Sequence, residues 1–111
     1  MIDIFKIKGF DWDKGNIDKN KDKHNVSKDE CEEAFLNQPA RFFDDDIHSK
    51  NEKRYGLLGK TNKGRKIVVF FTVRNQKIRV ISARDQGIKD RKIYEEVELA
   101  FKKKARWNIY E

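Results

Sequence analysis

Apolar residues outnumber polar ones over a long run in one part of this chain, Gly64 to Asp85 (GRKIVVFFTVRNQKIRVISARD), and the pattern within it predicts a β-hairpin. Its first arm, Lys66 to Val73, is β-branched and aromatic and is apolar at both parities: Ile67, Val69, Phe71 and Val73 against Val68 and Phe70. A strand apolar on both faces is one covered on both, so this arm is the expected centre of a sheet. Arg74, Asn75, Gln76 and Lys77 read as a short polar turn, and Ile78 to Ala83 returns as a second strand. Strict alternation puts Ile78 and Val80 on one face and Arg79, Ile81 and Ala83 on the other. A guanidinium fixed on a strand suits phosphate, because its planar fork stays charged and presents several donors; pairing with a carboxylate is the competing role for Arg79.

The remaining elements arrange themselves around this hairpin. Residues 2–8, IDIFKIK, alternate and predict an edge strand, kinked or bulged where Gly9 interrupts it. Asp13 is an N-cap for a helix to about Lys23, with Ile17, Asn20, Lys21 and His24 on one face. With one apolar residue to bury, that helix is either loosely attached or held by polar contacts of Asn20 and His24, which makes those two candidates for a site; a histidine there also caps the helix end. Ser27 with Glu30 forms a capping box, and Val26 with Cys31 a hydrophobic staple, so a second helix starts at Ser27 and buries Cys31, Ala34 and Phe35 before Pro39 ends it. Arg41 to Phe43 is a short strand leading into Asp44, Asp45 and Asp46, a run without the glycine and later glutamate of a calcium loop and therefore read as a solvated turn. A polar segment with His48, Ser49, Glu52 and Arg54 precedes a strand from Tyr55 to Gly59, and a turn over Thr61 to Gly64 re-enters the hairpin. After Asp85-Gln86-Gly87, a last helix is expected from Lys89 to Arg106, with Ile93, Val97, Ala100, Phe101 and Ala105 as its core stripe.

Charge then narrows the partner. The chain has 111 residues, enough for a single domain over 1–111 and one core, with 41% charged residues and a net charge of +7. The two halves differ: residues 1–59 hold 11 basic and 13 acidic side chains, residues 60–111 hold 15 basic and 6 acidic. A basic surface carried by the hairpin and the residues C-terminal to it points to a polyanion, most simply nucleic acid. One cysteine excludes an internal disulfide, and with no signal peptide or long apolar segment the expectation is a soluble cytoplasmic protein away from membranes. His24, His48 and Cys31 lack ligand spacing, so neither metal nor cofactor is expected.

Phe10-Asp11-Trp12-Asp13, Asn20, Lys23-His24, Val26-Ser27, Ala34-Phe35, His48-Ser49, Glu52, Arg54, Gly59, Gly64-Arg65 and Ile78 to Arg84, then Lys89, Arg91 and Tyr94, resemble in this order the BrnT family of bacterial toxins. The resemblance covers about Phe10 to Tyr94. Lys14, Gly15 and Asn16 stand in shifted order after the W-D pair, and the C-terminus continues through Lys102 to Glu111 past the family's usual end. The resemblance implies an α+β, RelE-like domain, an antiparallel sheet with two N-terminal helices and a C-terminal helix. It further implies an RNA-cleaving toxin of a type II toxin-antitoxin pair, held by a BrnA-type ribbon-helix-helix antitoxin through which operator DNA is bound.

Metal-free RNA cleavage needs a group to deprotonate the 2′-hydroxyl, charge stabilisation at the phosphoryl oxygens and a proton for the leaving 5′-oxygen. Arg79 and Arg84 are candidates for the charge, Glu52 or His24 for proton transfer, Arg54, Arg65 and Lys23 for substrate clamping, and Trp12 and Tyr94 for base stacking. By alternation Arg79 and Arg84 face opposite ways, and both serve one site only where Arg84 lies beyond the strand end. The reading from another class is a non-catalytic basic module whose arginines only bind phosphates or a partner protein.

Overall fold

The computed structural model describes residues 3–109, without the side chains of Ile4, Asn20, Asp22 and residues 107–109. The predicted hairpin is its centre. Strands β4 (Lys66–Arg74) and β5 (Lys77–Asp85) pair antiparallel, and the sheet is completed by β1 (Gly9–Phe10), β2 (Arg41–Asp44) and β3 (Tyr55–Lys60) in the order β1-β5-β4-β3-β2. All pairs are antiparallel except β1 with β5. The turn is tighter than the sequence suggests. Arg74 and Lys77 are still paired, and Asn75 and Gln76 make the reversal alone with φ of 51° and 64°, the two-residue geometry whose twist matches a hairpin.

Ile67, Val69, Phe71, Ile78, Val80 and Ala83 line one face and pack with Leu57 and with Val26, Cys31 and Ala34 of the second helix, α2 (Lys28–Leu36). The capping box is formed as expected, with the Glu30 N–H donated to Ser27 Oγ at 3.1 Å and the Ser27 N–H to Glu30 Oε1 at 3.0 Å. Gly59 lets α2 lie against β3, since a Cβ there would stand 2.8 Å from the Ala34 carbonyl oxygen. Helix α1 (Lys14–His24) lies beside β5 and is tied there by polar contacts. Asp13 Oδ1 accepts from the Asn16 N–H, Asn16 Oδ1 accepts in return from the Asp13 N–H, and the Asn16 amide reaches the carbonyls of Asp11 and Val80.

Four expectations are corrected. Where residues 2–8 were expected to form an edge strand, Ile4–Lys6 is a single 3-10 turn and only Gly9–Phe10 pairs with the sheet; Met1 and Ile2 lie outside the described residues. Second, Phe70 pairs with Ser82 but Phe71 with Val80, so Ile81 is an extra, bulged residue in β5. The bulge brings Ala83 onto the core face with Val80 and puts Arg84, Ser82 and Arg79 together on the other, opposite Val68, Phe70 and Thr72. Arg79 and Arg84 therefore share a face.

The third correction is the last helix, α3 (Ile88–Ile109). Its buried anchor is Tyr94, fully enclosed against Leu58, Val68, Phe43 and Phe70, with its hydroxyl donated to the Pro39 carbonyl at 2.7 Å. Of the expected stripe, Val97 is half-buried, while Ile93, Ala100, Phe101 and Ala105 are exposed, because the helix outruns the sheet and gives the molecule its 47 × 28 × 25 Å outline. The fourth is the acidic run. Asp46–His48 is a 3-10 turn, Lys53 pairs with Asp46 at 2.8 Å, and the Asp45 side chain is only 11% exposed. Asp45 anchors the loop.

Candidate functional site

The segment from Asp45 to Arg54 leaves β2 and enters β3, and its ends are joined by the Asp45 N–H donated to the Arg54 carbonyl at 3.0 Å. Inside this loop Ser49 Oγ donates to the Asp45 carbonyl at 2.7 Å and accepts the Arg54 N–H at 2.9 Å. Thr72 of β4 donates its hydroxyl to the Lys53 carbonyl at 2.9 Å, which fastens the loop to the sheet face that bears Arg79. His48 and Glu52, four residues apart, are thereby brought beside Arg74, whose position two residues after Thr72 puts it on the same face.

The result is an open cleft of about 720 Å³ with Ile47 and Ile81 among its walls and with His48, Lys50, Asn51, Glu52, Arg54 and Arg74 as its polar lining. Glu52 accepts two bonds from Arg74, Nε to Oε2 at 2.8 Å and Nη2 to Oε1 at 2.9 Å. That bidentate pair holds the Glu52 carboxyl below its usual range, and the Thr72 hydroxyl and the charge of Arg79 act in the same direction against partial desolvation. His48 Nδ1 lies 3.0 and 3.2 Å from the two Asp45 carboxylate oxygens. A carboxylate only accepts, so Nδ1 carries the proton and Nε2 is the nitrogen free to exchange one with a ligand. Arg54 is three-quarters buried, its nearest carboxylate is Asp45 at 3.8 Å, and its enclosed Nε has no hydrogen-bond partner among the described residues.

Ile81, the bulged residue, also borders a smaller hollow of about 210 Å³ that holds Lys19 and Arg79. There Arg79 is held by Asp13 at 2.8 Å and Asp11 at 3.7 Å. The Asn16 N–H and then Arg79 keep the Asp13 carboxyl below its usual range. Cations thus run from Lys50, Arg54 and Arg74 past the bulge to Arg79 and Lys19.

Of the residues singled out from sequence, the fold brings Glu52 and Arg54 into the cleft and sets Arg79 next to it. The others lie elsewhere. Arg84 donates to Asp90 at 3.1 Å and to the Asp85 carbonyl at 3.0 Å, and sits over the Phe70 ring. Arg65 joins Asp85 at 2.6 Å to Glu30 at 3.1 Å and reaches the carbonyls of His24 and Asn25, so it fastens the hairpin to both N-terminal helices. Lys23 and His24 are exposed at the end of α1. Trp12 stacks on Phe10 and donates its indole N–H to Glu32 at 2.9 Å. Tyr94, fully buried, offers no surface to a base, and burial pushes its phenol up to about 12. The side chain of Asn20 lies outside the described residues.

Sequence reasoning noted His48 beside Glu52 and Arg54 without assigning it a role in the site, and it missed Arg74, Lys50 and Lys19. Arg74 was legible: extending the parity of Phe70 and Thr72 by one step places it on their face, and only its assignment to the turn hid it. Nothing distinguishes Lys50 or Lys19 from the many other lysines. Among the described residues no group of three or more His, Cys, Asp or Glu side chains is placed to hold a metal ion.

Residues 12–90 match the family model described as a ribonuclease toxin, BrnT, of type II toxin-antitoxin systems. Comparison with curated proteins gives no match.

Proposed function

This chain belongs to the BrnT family of ribonuclease toxins of type II toxin-antitoxin systems, and we propose that RNA is cut in the cleft between the 45–54 loop and the β4–β5 hairpin. The observation that carries this is the meeting of Lys50, Arg54 and Arg74 with one carboxylate and one imidazole in a single open cleft, with Arg79 beside it. A phosphodiester supplies an acceptor above all for Arg54, whose enclosed Nε has no hydrogen-bond partner among the described residues.

In this reading the 2′-hydroxyl gives its proton to Glu52 and attacks the adjacent phosphorus. Arg54, Arg74 and Arg79 hold the charge that develops on the phosphoryl oxygens, and His48, as imidazolium oriented by Asp45, donates Nε2–H to the departing 5′-oxygen. One P–O bond forms and one breaks, leaving a 2′,3′-cyclic phosphate and a 5′-hydroxyl. No metal takes part. The partner is a ribbon-helix-helix antitoxin of BrnA type, and the sheet with its two N-terminal helices is read as RelE-like.

End-group analysis of RNA incubated with the pure protein, with and without EDTA, tests the chemistry. The expected products carry 5′-hydroxyl ends, form equally in chelator and are absent when the scissile nucleotide is 2′-deoxy. Ends bearing 5′-phosphate that vanish with EDTA would sink the arginine-centred account. RNA binding with no new ends at all would leave a basic module that only binds. Replacing Arg54 or Arg79 by alanine is expected to lower kcat/KM by about 10²–10³-fold, the range for losing one preorganised donor to a transition-state oxyanion, while thermal unfolding stays cooperative.

A further inference from the structure

The part of α3 beyond Asp90 lies outside the residues that match the family, and it carries three large apolar side chains left partly uncovered along one helix: Ile93 is 42% exposed, Leu99 55% and Phe101 40%. Ile93, Val97 and Ala100 recur at spacings of four and three, the seam by which one helix packs along another, and Phe101 lies beside them. Twenty-two residues make a helix of roughly 33 Å, and α3 spends only its first part on the sheet. An exposed helix of this kind is marginal by itself and is stabilised by burying its stripe.

Charge says what buries it. Along α3, Glu95, Glu96 and Glu98 form an acidic block, and Lys102, Lys103, Lys104 and Arg106 a basic one. Glu98 is engaged with Lys66 at 3.1 Å and Lys60 at 3.8 Å, whereas Glu95, Glu96 and the basic block form no ion pair among the described residues. Glu96 and Lys103 are seven residues apart, two helical turns, and so lie on the same flank of the apolar seam. Laid parallel, two copies of α3 would turn this flank of one helix toward the opposite flank of the other, so Glu96 and Lys103 would not meet. Laid antiparallel, with Val97 of one copy packing against Ala100 of the other, they set Glu96 against Lys103 twice over, by the two-fold symmetry of the contact. We infer that α3 is a self-recognition helix, and that two copies of this chain associate through it as an antiparallel pair with Ile93, Val97, Ala100 and Phe101 at the interface. The cleft borders none of these residues, so the pairing leaves both sites open.

Sedimentation equilibrium of the full chain over 1–100 μM tests this, with circular dichroism to verify helix content. The expected result is a monomer-dimer equilibrium of the 13.3 kDa chain. Lys103→Glu turns both cross-pairs into repulsions and is expected to weaken the dimer about tenfold or more, and Glu96→Lys with Lys103→Glu restores it by exchanging the partners. Restoration by the double variant is the signature of an antiparallel pair, because a general loss of basic charge cannot produce it. A monomer throughout the range overturns the inference. A dimer indifferent to Lys103→Glu overturns it as well, and so does a chain that stays monomeric until an acidic amphipathic peptide is added, since α3 would then be a dock for a different partner.

Discussion

Most of the arginines that the described structure pairs are tied by carboxylates, and how each is tied decides what it can do. Arg65 bridges Asp85 and Glu30; burial opposes ionisation of Glu30, but the Ser27 N–H and then Arg65 together outweigh it and hold the carboxyl below its usual range. Arg65 likewise keeps the Asp85 carboxyl below its usual range. Carboxylates with folded-state values below their unfolded ones stabilise the protein above about pH 4.3, the ordinary carboxylate value, and lose that contribution as pH falls through the lower folded values. Arg65→Gln is therefore expected to lower Tm near neutral pH and to flatten its dependence on pH below 5, read from thermal melts across pH 2–7. Glu52 is lowered by the Arg74 pair in the same way, but its effect belongs to activity. The acid limb of kcat/KM should lie below the usual carboxylate range, and Glu52→Gln should remove that limb together with most of the rate. Asp45→Asn should leave a slower reaction, because the amide orients the His48 ring less well than the carboxylate does. Cys31, with its thiol pushed up to about 12 by burial, is expected to resist alkylation until the protein unfolds.

At the scale of elements, the bulge at Ile81 does the most. Without it Arg79 would share a face with Ala83, which lies in the core cluster; with it Arg79 stands opposite Thr72, on the face where the 45–54 loop is fastened. The hairpin turn shows the opposite economy. Gln76 holds φ at 64°, where an L side chain costs about 1 kcal/mol, so Gln76→Gly is expected to raise stability by about 0.5–1 kcal/mol in urea unfolding without moving the strands. The cap of α2 works the other way. Ser27→Ala removes one member of the capping box and should cost about 1 kcal/mol.

Over the whole molecule, basic charge concentrates after residue 59, yet the cleft takes Lys50 and Arg54 from before that point and Arg74, with Arg79 beside it, from after, while Lys102, Lys103, Lys104 and Arg106 stand at the far end of α3. If RNA enters the cleft against Lys50, Arg54, Arg74 and Arg79, about four phosphate contacts predict a slope of log Kd against log salt near 3, at about 0.7 per contact on a single strand. Removing Arg54 should reduce the slope by about 0.7, and Lys103→Glu, on a helix that does not border the cleft, should leave it nearly unchanged.

The amino-acid sequence by itself determined whatever depends on near neighbours. The apolar parity of β4 made it a central strand, Ser27 and Glu30 started α2, Asp13 capped α1, and the ordered motifs from Trp12 to Arg84 named the family. Tertiary structure decided what depends on contacts far apart in the chain. Ile81 is bulged because the Val80 and Ser82 partners on β4 are adjacent residues, a matter of sheet registry to which local alternation is blind. Arg54 and Arg84 read alike as spare cations, yet Arg84 lies within reach of Asp90, whereas Arg54 is enclosed 3.8 Å from its nearest carboxylate. Periodicity marked the stripe on α3 as apolar and could not say that the sheet ends before the helix does, because an amphipathic pattern records a face to be covered and not the surface that covers it.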